Sequence, residues 1–396
     1  MSKSLYKKKK YIDQDVFTKA LERMRYCYET WDKVVISFSG GKDSTAVLQC
    51  ALIVAEEMRR LPVDVIFYDE EAIHPPTIEY VQRVYDDPKV NLEWYCLEIQ
   101  HRNACSNAEP FWYCWDSDKK DLWIRDMPEQ GITSHPMFKK GMSMQVFGSM
   151  HFHGQNACIL QGIRTEESLR RYRAVARKTH ENYITKASGT PEYGAPKGVT
   201  FAYPIYDWSS QDVWTLVAKL GCDYNRTYDI FNRTDNFGQY LKQRVCPPYG
   251  EEPLRGLHFY AECFPEMWHK MVKRVPGAAT AARYGNTQLY SSGYKPDQTD
   301  WRQHIENILI TFSPKDRKKV EAQLNGLIKT HNSKTADKIP MDQPHPLTGI
   351  SWAFLTRVAT RGDFKGRIAQ NAANEAAKAQ QKLGITREQA EEIYGR

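Results

Sequence analysis

Val34-Val35-Ile36-Ser37-Phe38-Ser39-Gly40-Gly41-Lys42-Asp43-Ser44-Thr45 is the stretch from which the rest of the chain can be read. β-Branched and aromatic residues lead into two glycines, and the residues from Thr45 to Val54 then form an apolar run suited to a buried helix. The order is strand, tight loop, helix. Without Cβ atoms at Gly40 and Gly41 the backbone can wrap closely round a ligand, so successive amides converge on one anion. The helix that follows adds the positive end of its dipole, Ser39, Ser44 and Thr45 add hydroxyls, and Lys42 adds a charge. A phosphate-binding loop is predicted; the plainer alternative is a Gly-Gly turn with ordinary caps. The spacing fits neither G-x-x-x-x-G-K-S/T nor G-x-G-x-x-G.

Outward from this loop, Val16 to Trp31 carries apolar residues at helical spacing, and Val63–Tyr68 reads as a second strand. Asp69-Glu70-Glu71-Ala72-Ile73-His74-Pro75-Pro76 follows it, ahead of a helix from Thr77 to Tyr85. Two strands joined by a helix imply a right-handed parallel crossover, with ligands beyond the carboxyl ends of the strands, where Asp69 falls. Leu92–Ile99 reads as a third strand and Ala157–Gln161 as a fourth. The fourth runs into Gly162-Ile163-Arg164-Thr165-Glu166-Glu167-Ser168-Leu169-Arg170-Arg171, whose arginines offer forked donors for phosphate oxygens. Tyr203 to Trp214 contains Ser209 as an N-cap with Asp212 at N3, while Trp208 and Trp214 read as core.

Residues 103–153, centred on Phe111-Trp112-Tyr113-Cys114-Trp115, are a long aromatic insertion that either packs on the body or forms a lid with stacking faces. His151 and His153 would lie on one side of an extended segment, a weak zinc pattern. Residues 1–30 are expected to form a basic tail, Lys7 to Lys10, and a helix; 31–220 the domain that carries the phosphate-binding loop; and 221–396 a mostly helical second domain. The tail is either a solvated face or an arm for nucleic acid.

The chain of 396 residues is 41% hydrophobic and 12% aromatic with a net charge of +7, enough for a sizeable core and compatible with anionic ligands. No apolar run has membrane-spanning length and no export signal is legible, so a cytoplasmic protein without a membrane partner is expected. Nine cysteines, with no C-x-x-C, read as reduced thiols. Cys246 and Cys263, with His258, could form a zinc or iron-sulfur site, although the spacing fits no standard finger.

Ser39-Gly40-Gly41-Lys42-Asp43-Ser44 resembles the S-G-G-x-D-S signature of the PP-loop ATP pyrophosphatases. Asp69, His74, Pro75 and Thr77 resemble the D-T-G-x-x-F/H-P-E-T region of the PAPS reductase branch, with Glu70 and Glu71 in place of Thr-Gly. Gly162, Arg164, Ser168 and Arg171 are similar to the G-x-R-x-x-x-S-x-x-R element of that branch and of the ATP sulfurylase small subunit. Pro204 to Trp214 is similar to P-I/L-x-x-W-S/T-x-x-D-V-W. The three main elements lie in family order across roughly residues 30 to 220. The resemblance implies an α/β fold, a parallel twisted sheet with flanking helices, and a site that binds ATP and Mg²⁺ and cleaves between the α and β phosphates to adenylate an unidentified acceptor.

On that resemblance Ser37, Phe38, Ser39, Gly40, Gly41, Lys42, Asp43, Ser44 and Thr45 hold the pyrophosphate, and Asp69 lies near the nucleoside or metal. Gly162 and Ser168 complete the nucleotide site. Lys42, Asp43, Arg164 and Arg171 are the catalytic set, with Asp43 capping the helix or binding Mg²⁺ and the arginines neutralising charge at the α-phosphate. PAPS reductases carry a near-terminal E-C-G cysteine; this chain ends Glu392-Ile393-Tyr394-Gly395-Arg396, with no cysteine after Cys263. Thiol-dependent reduction through Cys246 or Cys263 is therefore the alternative enzyme reading, and a nucleotide-sensing or nucleic-acid-binding protein, with a nucleic acid or protein partner, is the alternative outside enzymes.

Overall fold

The computed structural model describes residues 12–168, 171–172, 175, 183–233, 248–249, 257–284, 300–362, 366 and 368–396. The chain divides into two compact units, one of residues 1–100 and 113–247, the other of 101–112 and 248–396. The sequence reading had placed that division at 220/221 and had treated 103–153 as one insertion; in the structure its first residues, through 112, go with the second unit. Lys7 to Lys10 and Cys246 lie outside the described residues.

The first unit begins with α1 (Val16–Thr30), whose N-cap Asp15 accepts the Thr18 amide. Then follow β1 (Lys33–Phe38), α2 (Lys42–Glu57), β2 (Val63–Tyr68), α3 (Pro75–Tyr85) and β3 (Val90–Tyr95). The short strands β4 (Gln100–Arg102) and β5 (Phe111–Tyr113) belong mostly to the segment 101–112 that goes with the second unit, and the helix α4 (Met144–Met150) precedes β6 (Ala157–Gln161) in the first. The unit closes with β7 (Ile184–Lys186), β8 (Val199–Ala202), α5 (Ser210–Leu220) and α6 (Thr227–Asn232).

The sheet runs β3-β2-β1-β6-β8-β7, parallel except for the antiparallel edge strand β7. The chain leaves β1 toward β2 on one side, and β6 pairs with β1 on the other, so the order reverses between β1 and β6. In such sheets that reversal opens a crevice beyond the carboxyl ends of the strands. Gly40-Gly41 at the end of β1 and Gly162 at the end of β6 both lie there.

Strands β7 and β8 were not legible in the sequence, because runs of three and four residues are too short to show a period. The third strand is also shorter than expected and ends at Tyr95. Helix α2 explains its own apolar composition: Ala46, Val47, Cys50, Ala51, Val54 and Ala55 are all fully buried, so the loop rests on a core element.

From His258 on, the described part of the second unit is helical, comprising α7 (His258–Cys263), α8 (Pro265–Arg274), α9 (Ala278–Tyr284), α10 (Trp301–Leu309), α11 (Pro314–Lys334), α12 (Trp352–Arg361), α13 (Ile368–Leu383) and α14 (Arg387–Tyr394). Its core is aliphatic, with Leu309, Val320, Leu324 and Leu355 packed around Phe312 and Phe354. Among the described residues no helix is long and apolar enough to cross a membrane.

Candidate functional site

The loop at the end of β1 forms as its glycines require. Gly40 has φ +69°, and a Cβ there would lie 2.8 Å from Thr77 Cγ2. Asn225 fixes the turn by donating from Nδ2 to the Gly40 carbonyl and to Thr77 Oγ1, each at 2.8 Å. Gly162 is required for a different reason. A Cβ on it would fall 2.8 to 2.9 Å from backbone atoms of Asp43 and Ser44, so the end of β6 can abut the first turn of α2 only through a glycine.

At the N-terminus of α2 the Lys42 amide donates to the Tyr228 hydroxyl at 3.0 Å. The amides of Gly40, Gly41, Asp43 and Ser44 have no acceptor among the described residues, which leaves these donors unsatisfied at the positive end of a sixteen-residue helix. The hydroxyls behave differently from expectation. Ser44 Oγ donates to the Gly41 carbonyl at 2.9 Å and accepts the Ser39 amide, and Thr45 Oγ1 lies 3.0 Å from both the Gly41 carbonyl and the Tyr80 hydroxyl. Those two hydroxyls brace the loop; Ser39 is exposed at its tip, with its Oγ 3.2 Å from that of Ser44. Ser37 is half-buried on β1, and Phe38 is buried with its ring 5.8 Å from that of Tyr80, so both support the loop from within.

Asp43 is not the helix cap expected of it, since the N-cap is Gly41 without a side-chain bond. Its carboxylate is instead clamped between two cations: Oδ2 accepts from Lys42 Nζ at 2.9 Å and Oδ1 from Arg164 Nε at 2.6 Å. This donor set does not fit a direct magnesium ligand, because both oxygens already face positive charge. Among the described residues no group of three or more His, Cys, Asp or Glu is placed to hold a metal.

Arg164 is 2% exposed and spends its fork inside the protein. Beyond Asp43, Nη1 donates to Glu166 at 3.1 Å and to the Trp208 carbonyl at 3.3 Å, and Nη2 donates to Ser210 Oγ at 3.0 Å. It thereby ties the first turn of α2 to α5, whose Ser209-Asp212 capping box is formed as expected. Ser168 Oγ accepts the Arg171 amide at 3.2 Å and acts as a local turn cap. Arg171 pairs with Glu167 and keeps 35% of its side chain exposed.

Asp69 is fully buried at the end of β2. Its Oδ1 accepts the Glu71 amide at 3.0 Å, and Oδ2 accepts from Trp94 Nε1 at 2.8 Å and from Arg125. These contacts occupy the carboxylate that was expected to meet nucleoside or metal. Glu71, with φ +58°, takes the amides of Trp115 at 2.7 Å and Ile124 at 3.1 Å. The acidic segment thus anchors the aromatic stretch 113–125 against the sheet. Burial, followed by the charge of Asp69, pushes the Glu70 carboxyl up to about 8.

His151 and His153 do not share a side of an extended strand. They follow α4, where His151 Nδ1 lies 2.7 Å from the Tyr68 hydroxyl and His153 Nδ1 accepts the Lys197 amide at 3.3 Å. Burial pulls the His151 imidazole down to about 3, so it is neutral. Cys263 is half-buried, with its thiol pushed up by burial and by Glu262, which is the reverse of nucleophile activation. Tyr228, Asn225 and Arg125 were missed in the sequence; Asn225 lies 185 residues from Gly40, and no local pattern links them.

A family model described as the phosphoadenosine phosphosulfate reductase domain matches residues 33–233, and one described as a domain of unknown function, DUF3440, matches residues 239–336. The chain is 28% identical over 369 residues to the uncharacterized protein YbdN of Escherichia coli (strain K12), covering 88% of this chain and 89% of that one. Among solved structures it is similar to phosphoadenylyl-sulfate reductase from Candida auris in a phosphate complex, with 16% identity, a TM-score of 0.30, and coverage of 54% of this chain and 85% of that chain. It is also similar to Candida glabrata FMN adenylyltransferase in complex with ATP, with 12% identity, a TM-score of 0.32, and coverage of 56% of this chain and 62% of that chain.

Proposed function

The chain belongs to the phosphoadenosine phosphosulfate reductase domain family, and from that premise we propose that it binds ATP and transfers the adenylyl group to an acceptor. The observation that carries this reading is the set of amides of Gly40, Gly41, Asp43 and Ser44, which have no acceptor among the described residues at the head of α2. Those amides and Ser39 hold the β- and γ-phosphates. An acceptor oxygen attacks the α-phosphorus, the bond from that phosphorus to the α–β bridging oxygen breaks, and pyrophosphate leaves on the loop. Positioning and charge stabilisation supply the rate, so no side-chain base is required. Magnesium enters as a partner of the triphosphate and is counted with the substrate.

Exposure divides the cations. Lys42 and Arg164 are each 2% exposed and committed to Asp43, whereas Arg171 retains accessible surface. We therefore assign charge neutralisation at the α-phosphate to Arg171, and to Arg164 the positioning of the loop through Asp43. Reductase chemistry fits less well, because Cys263 is not activated.

The test is product analysis with α-labelled ATP, supplied with Mg²⁺, for the wild type and Arg171→Ala. Release of pyrophosphate with labelled AMP or adenylylated product, and a fall in kcat of about a hundredfold in Arg171→Ala with little change in pyrophosphate affinity, is expected. Release of inorganic phosphate, or failure of pyrophosphate to bind, overturns the reading.

A further inference from the structure

Gly41 is not explained by the conformation it adopts. Its φ is −85°, which any residue accepts, and a Cβ on it would meet nothing closer than Ser39 Oγ at 3.4 Å and the Tyr228 hydroxyl at 3.5 Å, both ordinary contacts. The glycine matters instead to the peptide plane it shares with Gly40. Turning such a plane over exchanges the directions of its carbonyl and its N–H and carries the second residue to positive φ, which glycine reaches about as readily as negative φ. With glycine on both sides, the chain itself does not decide which way this plane faces.

Asn225 decides it. Its Nδ2 donates to the Gly40 carbonyl and to Thr77 Oγ1, each at 2.8 Å, while its Oδ1 accepts the Thr227 amide at 2.9 Å. That amide can only donate, so it fixes which end of the side chain is oxygen and leaves both Nδ2 protons to the other two partners. Asn225, Thr77 and Thr227 are fully buried, and the hydroxyls of the two threonines lie 3.0 Å apart, so the donor is held in place. The Gly40–Gly41 peptide is trans, and in a trans peptide the carbonyl and the following N–H point opposite ways. Holding the Gly40 carbonyl toward Asn225 therefore holds the Gly41 N–H toward the other side, where it has no acceptor among the described residues. The next plane is held in the same manner: the Gly41 carbonyl accepts from Ser44 Oγ, Thr45 Oγ1 and the Thr45 amide, and the Lys42 N–H opposite it meets the Tyr228 hydroxyl.

We propose that Asn225 is a positioning residue of the phosphate loop. By holding the Gly40 carbonyl it presents the Gly41 N–H to the pyrophosphate part of the ligand, and it keeps turned away a carbonyl whose lone pairs would repel that anion. Asn225 itself touches no substrate atom and acts through one peptide plane. The inference rests on the nucleotide-binding reading of the loop and assigns a role to a residue 185 positions away from it.

The experiment uses the full-length protein labelled with ¹⁵N-glycine and inorganic pyrophosphate as the probe, with Gly41→Ala to assign the Gly41 signal. Asn225→Ser is the variant: a serine hydroxyl can still take the Thr227 amide in a local turn but is too short to reach the Gly40 carbonyl. Pyrophosphate is expected to move the Gly41 signal of the wild type. In Asn225→Ser that signal is expected to be displaced before any ligand is added and not to follow pyrophosphate, whose affinity falls at least about tenfold, the worth of one hydrogen bond to a charged group. Asn225→Asp, of the same shape and without a donor when ionised, repeats the test should the serine variant not fold. Thr227→Val separates positioning from stability: it removes the hydroxyl that faces Thr77 and keeps the Thr227 amide, so the thermal midpoint is expected to fall while pyrophosphate affinity stays within about twofold. A wild type that binds pyrophosphate with an unmoved Gly41 signal, wild-type affinity in Asn225→Ser, or an equal loss in Thr227→Val overturns the proposal and leaves the nucleotide reading standing; a wild type that binds no pyrophosphate overturns both.

Discussion

Replacement of Arg164 by alanine separates a residue that holds the loop from one that meets the substrate. The guanidinium is almost fully buried and makes four hydrogen bonds of unequal worth. Glu166 is 48% exposed, so its pair adds at most about 0.5 kcal/mol. The Trp208 carbonyl and Ser210 hydroxyl contribute about 1 kcal/mol each. Asp43 is the largest partner, since its side chain is 17% exposed and loses one of two cations; about 2 kcal/mol is reasonable for that pair. Arg164→Ala should thus lower the unfolding free energy by about 4 kcal/mol, against the 5–15 typical of a whole domain, and still fold at low temperature. Urea denaturation followed by tryptophan fluorescence measures this. The decisive comparison is the double-mutant cycle with Asp43→Asn, where an interaction of about 2 kcal/mol is expected. Loss of less than about 0.5 kcal/mol in Arg164→Ala, or additivity within that margin, would show that the guanidinium is kept for the nucleotide instead.

Gly162→Ala forces a methyl group into the backbone of Asp43 and Ser44, with no flexible side chain to yield. Isothermal titration should show at least a tenfold loss in pyrophosphate affinity, with destabilisation of about 1–3 kcal/mol; normal binding would mean that β6 and α2 are not apposed as described. The Glu70 carboxyl gives a pH signature. Its folded value of about 8 lies above the unfolded value of 4.5, so the folded state binds the proton more tightly; the stabilisation is complete below pH 4.5 and is lost as pH rises through about 8. Glu70→Gln should therefore gain stability relative to the wild type between pH 5 and 8 by an amount bounded near 5 kcal/mol, and parallel pH profiles would refute it.

Residues 34–54 by themselves determined the strand, loop and helix, because β-branching, paired glycines and a long apolar run act through neighbours in the chain. The Ser209-Asp212 capping box was legible for the same reason. The edge of the sheet was not, since β7 and β8 exist through pairing with a strand already in place and have no period of their own. Within the site, the residues singled out in the sequence lie at the carboxyl ends of β1, β2 and β6, but the contacts they make are decided by burial. Asp69 reads as a ligand and is consumed by Trp94 and Arg125; Arg164 reads as a phosphate clamp and holds Asp43; Trp214 reads as core and lines a cavity. A side chain's chemistry is written in the sequence, whereas its remaining valence depends on which distant groups reach it first. Tyr228 on Lys42 and Asn225 on Gly40 are bonds across more than 180 residues, and only the folded chain brings them together.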